Sequence, residues 1–196
     1  MNADDRKRCR WVPAGDDLYR DYHDREWGAP LRDDQALFEL LVLECFQAGL
    51  SWRLILGRRE AFRDAFSGFN AQTMAAWTDE HIGELMTDER IIRNRQKIEA
   101  ARANARAFLT IREEHGSFAT WLWSFINDEP VTGHWQEQAH VPARSPLSDE
   151  VSKAMKKQGF KFVGSVTVYS YLQAAGLLQD HLTTCFRYAE LEAVPA

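Results

Sequence analysis

The segment from Ala36 to Phe46 (Ala-Leu-Phe-Glu-Leu-Leu-Val-Leu-Glu-Cys-Phe) is apolar nearly all the way round at helical spacing. A helix of that kind must be enclosed by other elements on most sides. Asp33 stands where its N-cap should be, the helix runs to about Gln47, and Gly49 stops it. The enclosing elements also read as helices, with no run of period-two strand pattern, so the fold class is all-α. A second helix is expected from Arg53 to Phe66, with Ile55, Phe62 and Phe66 on one side. Asn70 and Thr78 start two short helices. A long one follows from Asn94 to Glu114, where Ile98, Ala101, Ala105 and Phe108 repeat at helical spacing before Gly116. Ser117 caps the next, whose stripe of Phe118, Trp121, Leu122 and Phe125 belongs in the core. Ser148 is expected to cap a helix ending at Gly159, and Ser165 one reaching Leu178.

Residues 1–196 read as one domain, since 196 residues suffice for a single substantial core. Pro130, Gly133, Pro142 and Pro146 make 127–147 an irregular connection that can separate two helical lobes. With 45% hydrophobic and 27% charged residues the chain is of ordinary globular composition, which excludes a mainly disordered or fibrous protein. No apolar stretch approaches the ~18 residues of a membrane span, and Met1 to Arg10 is too polar for a signal peptide. A cytoplasmic protein without membrane contact is expected. The net charge of −5 argues against a general nucleic-acid coat but is silent on a local basic face.

Two acids interrupt the apolar helix. Glu39 and Glu44 lie five positions, or about 140°, apart around the axis. If Glu39 reaches solvent, Glu44 points into the interior or a cleft. A buried carboxylate needs a cation, hydrogen-bond donors or a raised pKa. It is either a structural acid held by arginine or backbone amides, or a ligand-binding or catalytic acid. Trp11, Tyr19, Tyr22, Trp27 and Trp52 supply aromatic faces close by in sequence. Each alone fits as core filler; gathered around a carboxylate they would form a cage for a flat cation such as a methylated purine.

Cys9 and His23 near the start, and His181 and Cys185 one helical turn apart near the end, offer two thiolates and two imidazoles, the closed tetrahedral set that zinc favours. The alternative is that these histidines are merely structural. A metal there would fasten the two termini together and hold the N-terminal aromatics in place. Cys45 reads as core, and His81, His115, His134 and His140 show no ligating spacing. Two basic clusters, Arg90, Arg93, Arg95 and Lys97, and Lys153, Lys156, Lys157 and Lys161, are candidate phosphate contacts; the second reads equally well as a solvated helix face.

Cys9-Arg10-Trp11, Tyr19, Tyr22-His23-Asp24-Arg25-Glu26-Trp27-Gly28, Leu43-Glu44, Gln47-Ala48-Gly49-Leu50-Ser51-Trp52, Ile91-Ile92-Arg93-Asn94-Arg95, Gly159-Phe160-Lys161-Phe162-Val163-Gly164 and Asp180-His181 through Cys185 together resemble the DNA-3-methyladenine glycosylase I family. The resemblance spans Cys9 to Cys185. It implies a helix-hairpin-helix glycosylase that excises N3-methyladenine from double-stranded DNA, with structural zinc on Cys9, His23, His181 and Cys185. It implies that Glu44 and Tyr22 hydrogen-bond the base and that Trp52 stacks on it. Tyr19, Trp11 and Trp27 would complete the pocket, and Leu50, after Gly49, would fill the gap left by the flipped nucleotide. Arg93, Arg95, Lys97 and Lys161 would meet the DNA.

The resemblance places the DNA-contacting hairpin at 87–97, and there the chain departs from the family pattern: Glu89 and Arg90 precede the isoleucine pair in place of glycine, Glu89 adds negative charge where phosphate should approach, and Gln96 is atypical. Phe46 stands where a polar residue is expected. No separate general base and no Schiff-base lysine stand out, which implies a monofunctional enzyme. A non-enzymatic sensor of alkylated DNA and a zinc hydrolase are the competing classes; the closed ligand set counts against the second. A monomer is expected, associated with the nucleoid through DNA.

Overall fold

The computed structural model describes residues 6–193, so the polar run from Met1 lies partly outside the described residues. The chain begins with α1 (Asp17–Arg25), then the apolar α2 (Asp34–Gln47), α3 (Trp52–Leu56), α4 (Arg59–Ala65), α5 (Ala71–Ala75) and α6 (Asp79–Leu85). The long α7 (Arg95–His115) and α8 (Phe118–Trp123) follow, then α9 (Pro146–Lys157), α10 (Ser165–Ala174) and α11 (Phe186–Glu192). Among the described residues no helix is long and apolar enough to cross a membrane.

Helix α2 is central, packed against α3, α7, α8 and α10. Six consecutive residues, Leu41 to Phe46, are buried, as an all-round apolar helix requires. Asp33 caps it as expected, its carboxylate accepting from Ala36 N. Asn70, Thr78, Asn94 and Ser117 likewise cap α5, α6, α7 and α8, and Gly116 ends α7 with a positive φ of 81°. Phe118, Trp121 and Leu122 are buried, whereas Phe125 lies beyond α8 and is half-buried.

Several expected boundaries move. The helix expected from Arg53 to Phe66 divides at Gly57 and Arg58, where glycine weakens the helix and Arg58 leaves helical backbone; Ile55, Phe62 and Phe66 still reach the core. Ser145 caps α9, and Ser148 is instead its partner in a capping box, with Pro146 at the first turn. Ser165 is the first residue of α10, whose cap is Gly164, and α10 stops at Ala174. The connection over 127–147 contains a two-residue strand, β1 (Val131–Thr132), paired in parallel with β2 (Leu178–Gln179), so strand pairing exists here although none was expected. Helices α1 and α11 are additional to those expected from the sequence.

Helices α9 and α10 pack together across a tight hairpin over 158–164. Two buried polar residues fix that hairpin. Asn104 of α7 accepts from Lys161 N at 2.7 Å and donates to Lys161 O at 3.2 Å, and Ser152 Oγ donates to Val163 O at 2.6 Å. Phe162 is thereby held at φ 56°, unusual for a bulky residue, and remains partly exposed.

Candidate active site

Trp11, Tyr19, Tyr22, Trp27, Glu44 and Trp52 all line one open cavity of about 360 Å³. Helix α1 supplies the tyrosines, the turns at its two ends supply Trp11 and Trp27, α2 supplies Glu44, and the first residue of α3 is Trp52. Trp11 stands edge to face with Tyr19 at 5.4 Å and with Trp27 at 5.2 Å, and Tyr22 is tilted against Trp52 at 5.4 Å. Glu39 takes the opposite course around α2 and pairs with Arg63 at 2.7 Å.

Glu44 is only 3% exposed, and among the described residues its Oε2 has no hydrogen-bond partner. Among the described residues no arginine pairs with it. Burial alone pushes its pKa up to about 8. Tyr22 is buried beside it, and burial together with the nearby Glu44 charge raises its hydroxyl pKa well above the usual value. The indole nitrogen of Trp52 is buried without a partner as well. A buried acid left unsatisfied inside an aromatic cage is a site built for a ligand that brings donors or positive charge.

Sequence reasoning missed part of this wall. Gln138, Val141, Pro142 and Ala143 come from the irregular connection, and Tyr169, Ser170 and Gln173 from α10. Nothing local marks them; they reach the cavity through long-range packing.

Cys9, His23, His181 and Cys185 converge as expected. All four are buried, and their ligating atoms lie within 4.8 Å of one another. His181 and Cys185 are presented by a turn before α11 and not by a helical turn, so their four-residue spacing works through a different backbone. His23 Nδ1 lies 2.7 Å from the Asp24 carboxylate and His181 Nε2 3.0 Å from Trp27 O. Both partners can only accept, so those ring nitrogens donate and His23 Nε2 and His181 Nδ1 keep their lone pairs for the cluster. Against a burial effect that would raise it, Arg8 and His23 hold the Asp24 carboxyl below its usual pKa. The hydrogen bond between the two sulfurs divides their titration, pulling Cys185 down and pushing Cys9 up. These residues can hold a metal ion. Gly28 is obligatory beside them, since its φ is +79° and a Cβ would lie 2.9 Å from His181 Nε2.

The expected DNA contacts separate. Gly49 (φ 79°) turns the chain after α2, and Leu50 is 37% exposed at its tip. Arg93 and Arg95 are exposed but pair with Glu89 and Glu99, and Arg90 pairs with Asp88. Lys97 corrects the sequence expectation. It is 6% exposed, and its Nζ donates to Phe46 O at 2.7 Å and Ala48 O at 2.6 Å, so its charge satisfies the end of α2 and does not face a phosphate. Lys153, Lys156, Lys157 and Lys161 are all exposed.

The chain matches the methyladenine glycosylase family model over residues 11–188. It is 43% identical over 182 residues to DNA-3-methyladenine glycosylase 1 of Escherichia coli (strain K12), covering 93% of this chain and 97% of that one. A crystal structure of 3-methyladenine DNA glycosylase I superimposes with a TM-score of 0.89 at 44% identity, covering 92% of this chain and 98% of that one. A tyrosine-to-phenylalanine variant of 3-methyladenine DNA glycosylase I in complex with 3-methyladenine superimposes with a TM-score of 0.88 at 40% identity, covering 91% and 96%.

Proposed function

The chain belongs to the methyladenine glycosylase family, and from that premise we propose that it excises N3-methyladenine from alkylated double-stranded DNA. The observation that carries this reading is the unpartnered Glu44 carboxylate in its aromatic cavity. N3-methyladenine in DNA is a cation and leaves as a neutral base, so the site has mainly to bind and select. Glu44 accepts hydrogen bonds from the purine and opposes its charge, Tyr22 fixes its orientation and Trp52 stacks on it, with Tyr19, Trp11 and Trp27 closing the cage.

The base reaches that cavity only by flipping out of the duplex, at a cost of a few kcal/mol of stacking and pairing. Leu50, exposed after Gly49, fills the vacated space as an apolar wedge. The exposed lysines Lys153, Lys156, Lys157 and Lys161 around the α9–α10 hairpin contact phosphate. This hairpin serves as the helix-hairpin-helix element in place of the 87–97 stretch expected from sequence, whose Arg90, Arg93 and Lys97 are engaged within the protein. The N-terminus of α10, which has no side-chain cap, adds backbone donors. Arg93 and Arg95 contribute by exchanging exposed carboxylates for phosphate, which costs little. Water then attacks the sugar carbon as positive charge develops there.

The metal is zinc in a structural role, held by Cys9, His23, His181 and Cys185. Tetrahedral zinc at ordinary bond lengths spaces sulfur from nitrogen by about 3.6 Å; three of the four S···N separations here are 3.4, 3.5 and 3.6 Å. Four protein ligands leave no open position, so it supplies rigidity and no chemistry.

Incubation with methylated DNA and chromatography of the released bases tests the reading. Release of N3-methyladenine is expected; binding without release would make the protein a sensor. A borohydride-trapped adduct with DNA would contradict the monofunctional mechanism.

A further inference from the structure

Asp180 is buried, and three neutral donors from two parts of the chain converge on it. Tyr169 Oη donates to Oδ2 at 2.5 Å, Gln173 Nε2 donates to the same oxygen at 2.8 Å, and Trp135 Nε1 donates to Oδ1 at 2.6 Å. Tyr169 and Gln173 are one turn apart on α10, and both line the Glu44 cavity. Trp135 lies in the connection whose next residues, Gln138 to Ala143, form another part of that wall. The β1–β2 pairing brings this connection against Asp180, and it does so only because residue 133 is glycine. A Cβ there would lie 2.4 Å from Asp180 Oδ1 and 2.1 Å from Trp135 Nε1.

The direction of these hydrogen bonds has a chemical consequence. A carboxylate only accepts, so the Tyr169 hydroxyl proton is committed to Asp180, and the Tyr169 oxygen can offer a ligand nothing but lone pairs. Gln173 turns its amide nitrogen to Asp180, which sends its carbonyl oxygen the other way. Ionised Glu44 also only accepts. Resting on the reading of the cavity as a purine site, we infer that Asp180 is a positioning residue that sets base specificity. It holds Tyr169 and Gln173 so that the wall presents acceptors, favouring a purine with a 6-amino donor over one with a 6-oxo acceptor. An acceptor facing an acceptor leaves both unpaired in a buried site, the costly side of hydrogen-bond recognition.

Free 3-methyladenine and 3-methylhypoxanthine, an amino and an oxo purine at position 6, are the probes, with affinity read from tryptophan fluorescence of the full chain. Wild type should prefer 3-methyladenine. Asp180→Asn can place an amide N–H against Tyr169, which then accepts there and donates into the cavity. The ratio of the two affinities should fall about tenfold, the size of one hydrogen bond's discrimination. Tyr169→Phe removes the hydroxyl while leaving Asp180 in place and should lower the ratio by a similar factor, with no further fall in the double variant. A general loosening of the pocket would weaken both bases alike and leave the ratio unchanged. A wild-type ratio in Tyr169→Phe, or in folded Asp180→Asn, overturns the inference, as do additive effects in the double variant. If Asp180→Asn fails to fold, the Tyr169→Phe ratio decides. A wild type that binds neither base defeats the purine-site reading itself, and this inference falls with it; that result is distinct from binding of 3-methyladenine with unchanged discrimination in the variants.

Discussion

The indole of Trp27 stands edge-on to the imidazole of His181, 4.5 Å between centroids, while the same indole lines the Glu44 cavity. Trp11 repeats the relationship with His23 at 5.2 Å. Two walls of the cage therefore rest on two residues of the cluster of Cys9, His23, His181 and Cys185, and the cluster joins a turn near the start of the chain to one near its end. Whatever fixes the histidine rings fixes the aromatic wall with them.

Cys185→Ser should therefore act at a distance. Loss of one of four ligands is expected to lower metal content and to cost on the order of 3 kcal/mol of stability, or roughly 10 °C in Tm for a chain of this size. Affinity for 3-methyladenine should weaken as well, although Cys185 is not among the residues lining the cavity. Metal analysis beside calorimetry checks this. A parent protein without zinc, together with an unchanged Tm in the variant, would remove the metal from the account.

Glu44→Gln should lose about 100-fold in excision with the fold intact, because the charge that opposes the cationic purine is gone while the shape remains. The pH dependence carries a sign. The folded-state pKa of about 8 lies above the ordinary value of 4.5, so between these pH values the folded protein binds the extra proton. Stability from this group is therefore greatest below pH 4.5, falls as pH rises towards 8 and is flat above it. Excision by wild type should rise with pH through about 8, as the carboxylate forms in the free enzyme. Urea unfolding and kcat/KM measured from pH 5 to 9 should show both trends in wild type and neither in Glu44→Gln; a wild-type rate that is flat from pH 7 to 9 would contradict the role given to the ionised acid.

The heart of the site was legible because local rules determine it. Asp33 and Gly49 bound α2, and the 140° between Glu39 and Glu44 sends one acid to Arg63 and the other inward. The aromatic set and the Cys/His set were legible from residue chemistry, while their meeting in space was not. Tyr169, Gln173 and Asp180 meet across the turn after α10, whereas Trp135 and the rest of the connection join them only through a two-residue strand pairing between positions almost fifty residues apart, which no local pattern marks. Lys97 was misread for a related reason. Its place in a basic run suggests solvent, yet its long side chain reaches back to the carbonyls that end α2, a demand visible only once α2 and α7 are packed.

Leu50→Ala should separate duplex opening from base recognition. The side chain is partly exposed at a turn, so stability should stay within about 0.5 kcal/mol of wild type. Excision from duplex DNA should slow about tenfold, while affinity for free 3-methyladenine stays as it was. Single-turnover kinetics beside a fluorescence titration reads both. Equal losses in the two assays would place Leu50 in the pocket and not at the vacated base position.

Lys97 and Lys161 make opposite predictions from the same charge. Lys97→Met leaves two carbonyls at the end of α2 without their donor, so stability should fall by about 1–3 kcal/mol. The salt dependence of DNA binding should not change, because the ammonium is already engaged inside the protein. Lys161→Ala removes an exposed charge on the hairpin and should leave stability nearly untouched while reducing the slope of log K against log salt by about 0.9, the release of one counterion. Binding isotherms at several salt concentrations distinguish the two. A slope reduced by Lys97→Met and untouched by Lys161→Ala would return the phosphate contact to the first turn of α7 and take it from the α9–α10 hairpin.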